Sequence, residues 1–584
     1  MEKRVVLFII ITFLIFIGFQ HLLPEKYRGV RKVTPQTEVK SETPVPSQSQ
    51  IPAPETSATP NNASLSVASR EDANATEDTQ ASAQKIVIEG DLYRAVLDNQ
   101  GGMLTSWELK NYYYKTSQSS KNAQKRVFDI ITPSRSGDIR MYPGALIFGD
   151  DAVAQTANNS HYQVSIEGQD GETLSPPVVV RLTLKSGELQ IEKTWRFEKD
   201  NYIAGLSITG TYAGKPIESR FFIGEDIGPE EEHLTSSAAR LTAVYFSDKI
   251  RRESPPKDPQ ELKKFEGTIR WAGLDMQYFS LIAIPKQPSP YFNIQKKSLH
   301  DVGVDGEAID RDMLQVTLPI VGNMDSQLYL GPKKQENLKA SGAINFDDVI
   351  DYGFFSFLVY PLLATLRWIH QFVQNYGAAI IIITFILSLL LFPFRLKSMM
   401  SMRKMSAVQP KVKAIQEKYR KYKTTDPKKA EMNQEIMALY KAHNVNPMGG
   451  CLPMLLQFPF LFAFYSMLAH TIDLRQAPFI WWLTDLSAKD PYYILPIVMG
   501  ITSFISQKMT PMAPSTDPAQ AKMMMFMPIV FTFFFLNLSS GLNLYFLCSN
   551  IFQVALQKIA EPWIKDGRGA VPSKPKAKAS GGQP

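Results

Sequence analysis

The polar side chains best placed to do chemistry in this 584-residue chain lie inside long apolar runs. Thr384 and Ser388 stand one helical turn apart within residues 376–394. Gln457 interrupts an apolar run over 451–467, and Thr502, Ser503, Ser506 and Gln507 close another over 493–507. Asn537, Asn543, Ser549, Asn550 and Gln553 punctuate a third, over 523–560. No Asp or Glu falls within these runs, so an ion-coupled carrier would lack the ionisable relay such proteins use at mid-membrane. What uncharged donors and acceptors can do in apolar surroundings is hydrogen-bond, because a polar group left facing hydrocarbon is costly. Two uses stay open at this point: ties between helices, which is the plainer one, and a wet groove through which a polar chain could pass.

Enzymatic chemistry finds little to work with. There are two cysteines, Cys451 and Cys548, which rules out a disulfide scaffold. His370, His443 and His470 sit at the edges of apolar runs, and no H-E-x-x-H motif joins them. Glu230-Glu231-Glu232-His233 reads as a solvated acidic loop, since a charge run fixes no ligand geometry. No enzyme activity, no metal and no cofactor is expected.

The segments that must position the polar groups separate by charge. Residues 1–352 carry 39 Lys and Arg against 46 Asp and Glu, a net of −7, whereas residues 353–584 carry 24 against 10, a net of +14. Methionine follows the basic half, with 16 of 22 after residue 352. Two unlike proteins are joined in one chain.

At the start, Lys3 and Arg4 precede an apolar run without a small-x-small cleavage site, which predicts an uncleaved anchor over 1–24 with its amino end inside. Residues 25–84 are a tether, rich in Pro, Ser, Thr and Gln and too poor in apolar surface to fold. From 85 to 345 the pattern alternates with period two. Val178-Val179-Val180 and Leu189-Gln190-Ile191 flank Ser186-Gly187 as a hairpin, and 202–208 and 315–320 read as further strands. A large exported β-sandwich follows from this texture, with a helical stretch near 259–265.

The basic half reads as an interfacial amphipathic helix over 346–375 and a membrane span over 376–394 ending at Pro393-Phe394-Arg395. Residues 395–447 form a basic helical hairpin with arms at 411–422 and 428–440; 395–443 hold 13 basic residues against 4 acidic ones, which keeps this loop inside. Further spans are expected at 448–468 and 493–509. They are joined by an outer loop over 469–492 and followed by an inner loop over 510–522. The last 38-residue apolar stretch would be roughly 57 Å long as one helix, nearly twice a hydrocarbon core. Asn537-Leu538-Ser539-Ser540-Gly541 therefore splits it into spans at 523–538 and 541–560, and a basic tail occupies 561–584. The total is six transmembrane helices with both termini inside and one large domain outside.

Several of these stretches resemble the YidC branch of the YidC/Oxa/Alb membrane protein insertases. They are Asn446-Pro447-Met448-Gly449-Gly450-Cys451, Leu474-Arg475-Gln476-Ala477-Pro478-Phe479, Asp490-Pro491-Tyr492-Tyr493-Ile494-Leu495-Pro496 and Ser540-Gly541-Leu542-Asn543-Leu544-Tyr545. Upstream, Trp271, Gly273, Tyr278-Phe279 and Tyr329-Leu330-Gly331-Pro332-Lys333 look like the exported domain of Gram-negative members. The resemblance implies a polytopic α-helical membrane protein with six transmembrane helices, a five-helix insertase core and a periplasmic β-sandwich. It implies insertion and folding of nascent membrane proteins in the cell inner membrane, alone or with the Sec translocon (SecYEG, SecDF), without a cofactor. Membrane lipids, and the ribosome through the basic hairpin and tail, would be partners. Thr384, Tyr545 and Phe546 match positions that contact substrate along a greasy slide, and Ser388, Gln457, Asn543 and Arg395 would line a polar groove facing the cytoplasm.

One position departs from the family. A groove Arg or Lys is usual where Ser388 stands. Arg395 lies seven residues on, on nearly the same helix face and roughly 10 Å lower. It could reach upward to replace the charge, or serve only as an inside anchor, or the groove could work uncharged; all three stay open. Outside this family, a solute transporter with an exported sensor domain and a purely structural scaffold are the competing classes. The Met399, Met400, Met402 and Met405 cluster offers an adaptable apolar surface or ordinary helix packing.

Overall fold

The computed structural model describes residues 82–114, 126–136, 139–169, 171, 173–228, 241–302, 308–422, 426–443, 452–509 and 518–565. The anchor at 1–24 and nearly all of the tether lie outside the described residues. So do the acidic stretch 230–233, the 446–451 motif, residues 510–517 of the inner loop and the tail from 566 on.

Among the described residues, 85–332 form a 15-stranded sheet and a five-stranded sheet that share one hydrophobic core, with a small two-stranded ribbon beside them. Pairing is antiparallel apart from the short parallel match of 87–88 with 173–174. Val178–Ser186 and Leu189–Phe197 form a hairpin around Gly187, with Val178 opposite Phe197 and Ser186 opposite Leu189. Along Val178–Ser186, Val178, Val180, Leu182 and Leu184 are buried, so alternation places one face on the core. Lys193, on the partner strand, is fully buried. Its Nζ donates to the carbonyls of Gly101 (2.6 Å) and Gly144 (2.7 Å), and burial pulls its pKa down to about 7.

The stretch expected to be helical near 259–265 is instead the start of an edge strand, Leu262–Ile269, paired with Ser289–Val302. Phe265 lies opposite Phe292 and stacks on it at 5.0 Å. That long-range partner is invisible in the local pattern and overrides it.

Nine helices are described, α1 (Asp151–Asn159), α2 (Gln335–Ala340), α3 (Ser356–Val373), α4 (Tyr376–Lys418), α5 (Lys428–Ala442), α6 (Leu452–His470), α7 (Ile494–Met509), α8 (Pro518–Phe535) and α9 (Ser540–Lys565). The sequence predicts a span that ends near Pro393 and a separate hairpin arm that begins at 411. In the structure α4 runs on for 43 residues through Pro393 and Pro410. Its far end packs on α5 through Met405, Val408 and Val412 against Met432, Ile436 and Tyr440, and this packing offsets what the prolines cost. The last apolar stretch breaks between Phe535 and Ser540, and α9 continues through Pro562 to Lys565.

By length and composition, α4 is long and apolar enough to cross a membrane, and Ile494–Met509 and Phe526–Phe535 are shorter apolar helical runs. α3 buries Val359, Leu362, Leu366 and Ile369 but leaves Phe357, Trp368 and Phe372 at 64%, 58% and 70% exposure. α9 is in contact with α4, α6 and α7, and α4 with α3, α5, α6 and α9.

Candidate functional site

The inward face of α4 is set by its 3.6-residue period. Ile380, Ile383, Thr384, Leu387, Ser388 and Leu391 are buried, while Phe385, Ile386, Leu389 and Leu390 are exposed. Asn375 starts the helix by accepting from the Ala378 N–H at 2.9 Å. Thr384 and Ser388 are thus turned into the bundle, and the Thr384 hydroxyl donates to the Ile380 carbonyl at 2.5 Å.

Further down the same helix, Arg395 reaches α6. Its Nη2 donates to Gln457 Oε1 at 2.9 Å, and its buried Nη1 has no hydrogen-bonding partner among the described residues. The structure therefore joins Arg395 of α4 to Gln457 of α6.

Asn543 is fully buried at the start of α9. Its amide donates to the carbonyls of Phe535 (3.1 Å) and Leu538 (3.3 Å), so it satisfies the end of α8, and its Oδ1 has no partner among the described residues. Tyr545 is buried and stacks on Phe464 of α6 at 4.2 Å. Phe546 is half-buried and meets Phe535 edge-on at 4.6 Å. Of the three expected slide residues, Thr384 and Tyr545 are covered by neighbouring helices and Phe546 is partly open.

Some polar groups act simply as ties. Asn550 of α9 donates to the Ser503 hydroxyl of α7 at 2.6 Å, and Gln557 donates to the Met509 carbonyl at 2.6 Å. Gly500 lets α7 approach α8 so closely that a Cβ there would run into Thr532. Among the described residues no three His, Cys, Asp or Glu side chains gather as a metal site.

Sequence reasoning missed the face of the helical half that meets the β-domain. Arg367 of α3 donates to Asp473 at 2.8 Å and to Glu336 of α2 at 2.6 Å. Arg475 and Gln476 both reach the carbonyl of Tyr113 in the β-domain. The signal lies in the 474–479 stretch, whose resemblance to the family gives its residues no role.

Residues 85–365 match the family model described as the YidC periplasmic domain, and residues 368–566 match the 60Kd inner membrane protein model. A membrane protein insertase YidC of Syntrophus aciditrophicus (strain SB) is 34% identical over 566 residues, covering 95% of this chain and 99% of that one. The chain belongs to the YidC membrane protein insertase family. A second YidC relative, from Geotalea daltonii, is 33% identical over 568 residues, covering 95% of this chain and 98% of its own. A crystal structure of an active YidC insertase aligns over 82% of this chain and 92% of its own at 19% identity and a TM-score of 0.34.

Proposed function

We propose that this chain inserts nascent membrane proteins into the inner membrane and assists their folding. The observation that carries the reading is the nearly end-to-end match to YidC insertases, which spans the β-domain and the helical half alike. It is supported by the inward placement of Thr384 and Ser388 and by the hydrogen bond from Arg395 of α4 to Gln457 of α6.

The proposed path begins at the inner side, between α4, α6 and α9. A charged side chain at mid-bilayer costs roughly 3 kcal/mol on an insertion scale. Polar groups that reach part-way into the bilayer shorten the apolar distance over which that cost applies. The apolar helix of the substrate then leaves sideways into lipid past Phe546. Contact with Thr384 and Tyr545 requires α4, α6 and α9 to part, since both residues are covered in the closed bundle.

On this reading the chain crosses the membrane six times, with both termini inside and the β-domain in the periplasm. The exposed aromatic face of α3 lies against lipid, and the basic α4–α5 hairpin meets the ribosome. Work beside the Sec translocon belongs to the same proposal.

Complementation tests it. Expressed in cells depleted of their own insertase, the chain should restore insertion of a Sec-independent single-span protein, scored by protease accessibility of its exported end. A solute carrier would leave insertion at the depleted level, and that result would sink the proposal.

A further inference from the structure

Among the described residues α8 packs chiefly along α7, where Gly500 admits Thr532, and it leaves Phe526, Ile529, Phe531, Phe533 and Phe534 exposed. Its C-terminal end has a second hold. Residues 536–539 turn the chain back into α9, and the turn closes the Leu538 N–H onto the Phe535 carbonyl at 3.2 Å. A helix end leaves its last carbonyls without partners inside the helix, and where water is shut out side chains must meet them. Asn543 does so. It is fully buried, and its amide donates to the Phe535 carbonyl at 3.1 Å and to the Leu538 carbonyl at 3.3 Å. Its Oδ1 is buried and has no hydrogen-bonding partner among the described residues. The amide is therefore present for its donors, because a leucine would fill similar space without stranding an acceptor.

What stands three residues further on gives this cap a second consequence. Positions i and i+3 share a helix face. Asn543 holds the Phe535 carbonyl, and Phe546 meets the Phe535 ring edge-on at 4.6 Å. One face of α9 thus grips Phe535 twice, by its backbone and by its ring. Tyr545 is engaged elsewhere, stacked on Phe464 of α6 at 4.2 Å. α9 is itself fastened to α7 without help from α8, through Asn550 to Ser503 and Gln557 to the Met509 carbonyl. α8 is then held at two places, Thr532 against Gly500 and Phe535 against Asn543 and Phe546.

We propose that Asn543 is a positioning residue for release of the substrate helix: by holding the end of α8 on α9, it keeps Phe535 and Phe546 together as one aromatic edge past which the apolar helix leaves. The proposal rests on the insertase reading, since it assigns a residue to the exit step. Without the amide two carbonyls lose their donor, and α8 swings about its contact at Gly500. The edge then stands in its working place for only part of the time, and release slows.

The full-length chain is reconstituted in lipid bilayers with Cys451 and Cys548 replaced by Ser. Spin labels are placed on Phe526→Cys in α8 and Ile551→Cys in α9, both exposed positions. The parent should give one narrow distance and Asn543→Leu a broad one. In unlabelled protein the initial rate of insertion of a Sec-independent single-span protein should fall about five-fold in Asn543→Leu, within what one or two neutral hydrogen bonds contribute. A photo-reactive phenylalanine analogue in place of Phe546 supplies a readout that loss of folded protein would not move. Its cross-linking to the apolar helix of the substrate, counted per inserted molecule, should also fall. Asn543→Ser removes the amide without adding an apolar group, and the same readings on it decide the matter where Asn543→Leu does not fold. An unchanged distance in either folded variant overturns the hold on α8. A broadened distance with unchanged rate and cross-linking overturns the positioning role, and so does a lower rate with unchanged cross-linking per inserted molecule. If the parent itself inserts nothing, the insertase reading fails, while the distance measurement still decides whether Asn543 holds α8.

Discussion

Arg395 carries the most specific residue-scale claim. Its guanidinium is held by Gln457 and has one buried Nη1 without a hydrogen-bonding partner among the described residues. On the proposed reading it supplies the charge that Ser388 does not. A charge-assisted hydrogen bond contributes about 1.5–3 kcal/mol, so Arg395→Ala should slow insertion of an acidic-tailed single-span substrate at least about ten-fold. A neutral-tailed substrate should be little affected, and Ser388→Arg should restore the loss. Initial insertion rates for the two tails check this; equal rates in parent and variant would leave Arg395 as an inside anchor alone. The sequence made the inward face of Thr384 and Ser388 legible, because periodicity places both. It could not give the Gln457 partner, which depends on how α4 and α6 pack, nor the capping role of Asn543, which depends on where α8 ends.

The elements were legible where the apolar pattern is long, and less so where proline or pairing intervenes. A Pro inside a helix costs about 3 kcal/mol by intrinsic preference, so Pro393 read as a stop. In the structure α4 runs through it, and the contact of Val412 with α5 stabilises the far end. Leu262–Ile269 was misread for the related reason that its strand partner lies far along the chain. The packed α4–α5 hairpin leads to a local expectation. Val412 is 1% exposed, and Val412→Asp would bury a carboxylate beside Met432 and Ile436. Hydrogen exchange over residues 405–440 should accelerate at least about ten-fold, while Val178–Phe197 in the β-domain keeps its protection. Unchanged exchange over residues 405–440 in Val412→Asp would show that the hairpin does not fold on this contact.

At the scale of the whole molecule, the charge split of −7 and +14 separates a β-domain from a basic helical half. What composition could not show is that the two halves are bound to each other. Arg475 to Tyr113, Gln277 to Ala469, and Arg367 between Glu336 and Asp473 all join segments distant in sequence. No local pattern encodes such contacts, although the residues that make them lie in or beside stretches already conspicuous in the sequence. The central claim is that this assembly moves a polar segment across a membrane and releases its helix into lipid. It is tested most directly by reconstituting the purified full-length chain alone in phospholipid vesicles and supplying a freshly translated, Sec-independent single-span protein. A protease-protected fragment of spanning length should form in vesicles that contain the chain and be lost in large part with Arg395→Ala. Equal protection in vesicles without the chain would contradict the account.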